Sequence, residues 1–281
     1  MDIQVQAALA KEFKSLHESD QILVLPNVWD VASARIAEEA GAPAIATSSA
    51  GVAFSLGYRD GERIPCREMV DWIGRIARAV HVPVTADFES GYGRTVSAVT
   101  ENVRTVIQAG AVGINFEDGM HEEVRRLEDL TVQVEKIKAI RSLSEKEGVP
   151  LVINARTDVF LDQIGAPESR LDEAVRRSNA YRAAGADCLF VPGVIDGETI
   201  GRLTKAIHGP VNILAGPGAP SIAELARLGV ARVSVGSKPF CAAMGHYQRV
   251  AKELLKEGTY LSLESPITHS SMTQLLTPAI S

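Results

Sequence analysis

A chain of 281 residues with 46% hydrophobic and 23% charged side chains has enough apolar material for one large core, and lies outside the compositions of disordered and fibrous chains. Its 29 basic and 35 acidic side chains give a formal charge of −6 without any long basic run, which argues against nucleic acid and membrane surfaces as partners. No apolar stretch reaches the roughly 18 residues of a membrane span, residues 1–14 lack a basic-then-apolar leader, and Cys66, Cys188 and Cys241 are too scattered for a disulfide framework; a cytoplasmic protein with reduced thiols is expected.

In chain order, the apolar pattern predicts a strand over 22–25, a helix over 31–39, a strand over 44–48 and a helix over 67–80. Strands then follow over 82–87, 113–117 and 151–156, separated by helices over 96–109 and 132–146. The last half alternates likewise: helix 171–184, strand 188–191, helix 199–207, strand 211–215, helix 222–228, strand 232–235 and helix 241–256. Four of the junctions repeat one phrase, a helix end, a glycine and a short apolar strand, at Gly41, Gly110, Gly185 and Gly229. Glycine there suits the position just past a helix, where φ is often positive. Eight strands alternating with eight helices predict a closed (β/α)8 barrel over residues 1–256, with 257–281 as a tail on the barrel's outside or on a neighbour.

A barrel builds its site at the C-terminal ends of its strands, and the polar residues of this chain gather there. The second strand ends in Thr47, Ser48, Ser49, Ala50 and Gly51; the third in Asp87, with Glu89 two residues on; the fourth in Glu117 and Asp118; the fifth in Asn154, Arg156 and Asp158. Asp87 and Glu117 end adjacent strands and are within reach of one ion, and Glu89 is placed to hold one of its waters. Oxygen donors without His or Cys point to Mg2+, or Mn2+. Helix capping, or pairing with Arg94 and Arg104, is the structural alternative for these acids. Arg156, inside an apolar run, needs an anionic partner: a substrate carboxylate, or Asp158 or Glu117. Asn154 faces the same side by the period of two. The serines offer hydroxyls and N–H groups to a carboxylate, or serve only as turn residues. His121 is the histidine placed on the catalytic side, and no GxSxG elbow is present. The loops AGPGAP and VGSKPF, with Gly216, Gly218 and Gly236, also suit phosphate binding.

The segments NVWDVASARIAEEAGAPAIATSSAG, LGYRDGE, VTADFESGYG, GINFEDG and LVINARTD, in this order across residues 25–256, resemble the isocitrate lyase and phosphoenolpyruvate mutase superfamily. The resemblance implies a (β/α)8 TIM barrel, commonly a homotetramer built as a dimer of dimers, in which the last helix, here 241–256 with the tail, is swapped between subunits. It also implies Mg2+ at Asp87, Glu89 and Glu117, an acid–base role for Asp60, substrate carboxylate binding by the stretch Ser48, Ser49 and Ala50, and substrate binding by Arg156. The chemistry implied is bond cleavage or rearrangement beside a pyruvate enolate.

Two departures narrow the reaction. The loop after the fourth strand reads GMHEEVRRLEDL, without the Cys of the KKCGH or KRCGH loop of isocitrate and methylisocitrate lyases and without the Lys and Asn of the mutases. After the sixth strand, Val191, Pro192 and Gly193 stand where relatives often carry Glu or His. The expectation is a Mg2+-dependent lyase cleaving a carbon-carbon bond of a small anionic 2-keto or 2-hydroxy acid, of the oxaloacetate or substituted malate type. Residues 119–130 are expected to close over the mouth, with His121, Arg125 and Arg126 as its working residues. The alternatives are phosphorus-carbon chemistry, as in a phosphonopyruvate hydrolase or mutase, and a catalytically silent metabolite-binding barrel.

Overall fold

A computed structural model describes residues 1–120 and 125–277. Helix α1 (Ile3–His17) leads into β1 (Leu23–Leu25), β2 (Asn27–Val28), α2 (Val31–Glu39), β3 (Ile45–Thr47), α3 (Ser49–Ser55) and α4 (Cys66–Ala79). Next come β4 (Val84–Asp87), α5 (Val96–Gln108), β5 (Gly113–Glu117), a small antiparallel pair β6 (Gly119–Met120) and β7 (Arg126–Leu127), and α6 (Leu130–Lys146). The remainder alternates through β8 (Val152–Arg156), α7 (Arg170–Ala183), β9 (Cys188–Phe190), α8 (Gly197–Ala206), β10 (Val211–Leu214), α9 (Ile222–Arg227) and β11 (Arg232–Ser234). It ends in α10 (Lys238–Lys256) and α11 (His269–Leu276).

The strand order β1-β11-β10-β9-β8-β5-β4-β3-β2 is parallel throughout. Its two ends, β1 and β2, are pieces of one extended segment split at Pro26, which has no N–H to give to a ladder. The sheet therefore returns on itself as the expected eight-position barrel. Asn27 staples the seam: its Nδ2 donates to Thr47 O at 2.9 Å, and its Oδ1 accepts from Val235 N at 2.7 Å and Gly236 N at 2.8 Å. The four junction glycines adopt positive φ as anticipated, between 82° and 109°.

Helix α1, which lies outside the predicted elements, closes the end of the barrel where the strands begin. Gln6 ties it down by donating to Ile107 O at 2.7 Å and Ala111 O at 3.0 Å. Phe13 is fully buried against Gly113, where an added Cβ would lie 2.8 Å from both the Phe13 ring and Thr85 Oγ1. Helix α11 of the tail lies on α2, where Arg35 Nε donates to Leu275 O at 3.1 Å. Among the described residues no helix is long and apolar enough to cross a membrane.

Register places one residue of each pair on the inner wall: Thr85 and Asp87 of β4, Asn115 and Glu117 of β5, Asn154 and Arg156 of β8, Asn212 of β10, and Arg232 and Ser234 of β11. The wall is thus unusually polar for a barrel, where branched apolar side chains dominate.

Candidate active site

At the C-terminal rim, Asp87 ends β4 and is buried. Its Oδ2 accepts from Ser49 N at 2.9 Å and Ser49 Oγ at 2.7 Å, its own N–H donates to Thr47 Oγ1 at 2.9 Å, and its Oδ1 faces Asn115 Nδ2 at 3.5 Å. Ser48 caps α3 by accepting from Gly51 N at 3.2 Å, and its N–H donates to Val28 O. The serine stretch expected to grip a substrate carboxylate therefore anchors the rim acid in this structure, and Ala50 sits half-buried in the first turn of α3.

Glu89, two residues on, has a positive φ of 49°. Its Oε1 accepts from Tyr92 OH at 2.8 Å and its Oε2 from Glu62 N at 2.7 Å. Glu62 in turn accepts from Ser90 Oγ and Tyr92 N, both at 2.7 Å. Glu62 and Tyr92 share the positive φ, each at 55°, so three strained residues meet in one contact cluster, a pattern typical of functional loops. Burial and the Glu89 carboxylate hold the Tyr92 hydroxyl far above its ordinary pKa, so it stays a donor. Asp60 precedes this cluster and is exposed, with Gly61, Glu62 and Arg63 rather than Asp60 reaching the adjoining cavity.

Glu117 and Arg156 face each other across β5 and β8, with Arg156 Nη1 2.6 Å from Glu117 Oε2. Arg156 also clasps Asp158 through Nε at 2.6 Å and Nη2 at 3.1 Å, and lies over the Phe190 ring. Burial alone would lower this guanidinium, but Asp158, Glu117 and Asp87 more than reverse it, and it stays charged. Both structural partners foreseen for Arg156 are present together. Behind them Asp118 is fully enclosed: Oδ1 accepts from Asp158 N at 2.9 Å, and Oδ2 accepts from Tyr181 OH at 2.6 Å and Arg177 Nη1 at 3.2 Å. Burial and neighbouring Asp158 push its carboxyl up to about 6. Asn154 is buried and donates to Asn115 Oδ1 at 2.7 Å.

A cavity of about 250 Å³ opens beside this rim, lined among others by Tyr92, Arg94, Glu117, Asp118, Gln133 and Lys136. His121 lies outside the described residues, as does part of the loop expected to close.

Among the described residues, no group of three or more His, Cys, Asp or Glu side chains is drawn together as a ready metal cluster. The three expected metal acids share one rim, but Asp87 faces Ser49 and Asn115, Glu89 faces Glu62 and Tyr92, and Glu117 faces Arg156. The donor chemistry still fits Mg2+, which takes one or two carboxylates and keeps several waters. Among the described residues, Asp87 has one oxygen fixed by Ser49 and the other facing an amide at 3.5 Å.

Asn115, Glu62 and Tyr92 are absent from the sequence-derived set. Asn115 was accessible from the period of two before Glu117; the Glu62 and Tyr92 contacts depend on loop geometry that no periodicity encodes.

The profile of the phosphoenolpyruvate phosphomutase family matches residues 13–255. An uncharacterized protein of Mycobacterium tuberculosis is 37% identical over 233 residues, covering 83% of this chain and 84% of that one. Oxaloacetate decarboxylase 2 of Pseudomonas fluorescens is 28% identical over 266 residues, covering 91% and 88%. The crystal structure of a Burkholderia cenocepacia protein described as a lyase/mutase superposes with a TM-score of 0.90 at 36% identity, covering 96% of each chain. With the barrel, its rim acids and these likenesses in hand, the chain belongs to the phosphoenolpyruvate phosphomutase family, within the isocitrate lyase and phosphoenolpyruvate mutase superfamily of lyases and mutases.

Proposed function

We propose that this enzyme is a Mg2+-dependent lyase that cleaves a carbon-carbon bond of a small 2-keto or 2-hydroxy acid, with oxaloacetate as the leading substrate. The observation that carries the reading is that Asp87, Glu89, Glu117 and Arg156 share one barrel rim, with Glu117 and Arg156 in contact, in a chain similar over most of its length to an oxaloacetate decarboxylase. Asp87, with Glu89 and Glu117 around it, would hold the ion, and Mn2+ would substitute. When bound, the ion supplies a Lewis acid toward negative charge developing on the substrate.

In oxaloacetate decarboxylation the bond to the departing carboxylate breaks, CO2 leaves, the electron pair stays as the enolate of pyruvate, and a proton completes the product. Arg156, held flat by Asp158 and Glu117, would fix the retained carboxylate. Ser49 keeps Asp87 oriented. Solvent can protonate the enolate, which agrees with a loop that lacks the Cys of the isocitrate lyases. The exposed position of Asp60 likewise favours a water as the proton carrier.

A second copy of the chain is the proposed partner. Met244, Tyr247 and Leu255 of α10 and Leu261 of the tail are all exposed, Leu255 at 86%, and supply an apolar face for self-association. A monomer by analytical ultracentrifugation would remove that partner.

The reaction is tested on a panel of oxaloacetate, substituted malates and phosphonopyruvate, with and without Mg2+. Mg2+-dependent turnover of oxaloacetate or a malate is expected. Turnover of phosphonopyruvate alone would replace this reading with phosphorus-carbon chemistry, and ligand binding without turnover would indicate a silent barrel.

A further inference from the structure

Beneath the rim, the barrel holds a cation that the chemistry above leaves unused. Arg232 begins β11, faces the inner wall and is fully buried. Its contacts among the described residues are neutral: Nη2 donates to Asn115 Oδ1 at 3.1 Å, Nη1 lies 3.4 Å from His17 Nε2, and the guanidinium sits 5.7 Å from the Phe13 ring centroid. His17 adds no charge, because burial and then Arg232 hold its imidazole down at about 4. Burial pulls Arg232 itself down to about 10, which still leaves it protonated at neutral pH.

A charge buried without a carboxylate in contact is strongly unfavourable, and cores discard such groups unless they serve a purpose. Arg156 on the same inner wall is matched by Glu117 and Asp158, and Arg177 behind it by Asp118. Among the described residues Arg232 has no carboxylate in contact. Its nearest link upward is Asn115, in register with Asp87 and turned toward it, so the positive end of the network points at the rim. On the rim, Glu117 and Asp158 pair with Arg156 and Asp118 pairs with Arg177, while the hydrogen bonds of Asp87 among the described residues are to neutral groups, so an anion seated there meets the negative charge of Asp87.

We propose that Arg232 is a positioning residue for the reaction: a fixed positive charge in the barrel interior that offsets the rim acids and, through Asn115, secures binding of a small dianion above it. This rests on the proposed function, since it takes the rim as the anion's seat. Removal of Arg232 should weaken the anion and favour the cation, whereas loss of structural order would weaken both.

The test uses the full-length protein and two probes, Mn2+ alone and then oxalate on the Mn2+-loaded protein, each titrated by calorimetry. In Arg232→Met, Asn115 Oδ1 keeps its bond from Asn154, so the amide should hold its orientation. The expected result is a loss of oxalate affinity of about tenfold or more, the scale of one unit charge acting over about 10 Å at an effective dielectric of about 20, with Mn2+ affinity equal or higher. Arg232→Lys should recover oxalate binding. Arg232→Gln, which keeps a donor for Asn115, replaces the Met variant should that fail to fold. Unchanged oxalate affinity, or parallel weakening of both probes, overturns the proposal and leaves the functional reading standing. A wild-type protein that binds neither probe overturns the functional reading and this proposal with it.

Discussion

Ser49 gives both its N–H and its hydroxyl to one oxygen of Asp87, at 2.9 and 2.7 Å. A residue placed by sequence among the substrate contacts thereby orients the carboxylate proposed to hold the ion. Ser49→Ala removes one charge-assisted hydrogen bond and keeps the other. With such bonds contributing about 1.5–3 kcal/mol to stability, Tm should fall by several degrees, and Mn2+ affinity should fall roughly tenfold as Asp87 loses part of its fixed orientation, about 1.4 kcal/mol. Isothermal titration and thermal melts check this, and unaltered affinity would make the Ser49–Asp87 contact incidental.

Arg156 is enclosed with two carboxylates, and its removal leaves both buried without their cation. Arg156→Met is expected to lose about 3–5 kcal/mol of stability, the range for breaking a buried ion pair from one side. Urea denaturation measures it. A loss under about 1 kcal/mol would mean that Glu117 and Asp158 relax into water and that Arg156 serves the substrate alone.

Asp118 carries a pH signature. Its folded-state pKa of about 6 stands above the ordinary carboxylate value of 3.8. The folded protein therefore binds its proton more tightly than the unfolded chain, and the stability gained is full below about pH 4 and lost as pH rises through about 6. Relative to Asp118→Asn, wild-type stability should decline by roughly 3 kcal/mol between those limits, from a shift of about two units. Denaturation curves for the two proteins at several pH values test the slope; a constant difference would contradict it.

The barrel seam makes a separate prediction. Asn27 satisfies two N–H groups and one carbonyl left over where Pro26 interrupts the first strand. Asn27→Leu leaves the buried Thr47 carbonyl and the half-buried Val235 and Gly236 N–H groups without this amide, so the variant should lose about 1–3 kcal/mol or more. A urea midpoint equal to wild type would show that water replaces the amide.

The barrel was legible in the sequence because its signals are local. Gly41, Gly110, Gly185 and Gly229 mark helix ends through positive φ, and each apolar run after them is a buried parallel strand. Asp87, Glu117 and Arg156 were legible because the ends of strands share one rim. The split of the first strand at Pro26, the plug made by Phe13 and the Glu62–Glu89–Tyr92 cluster were not, since each depends on contacts between distant segments. Arg232 carries a fainter local signal, a charged residue opening an apolar strand on its inner face.

If Asp87 holds a divalent ion on which turnover depends, oxaloacetate consumption by wild type and Asp87→Asn must differ sharply. The rates are compared at fixed Mg2+, after subtraction of the enzyme-free rate and again in the presence of EDTA. Wild-type turnover should be abolished by EDTA and should fall at least about a hundredfold in the variant, the scale of about 2.7 kcal/mol of lost transition-state stabilisation. Turnover that survives EDTA, or an Asp87→Asn enzyme as fast as wild type, would contradict it.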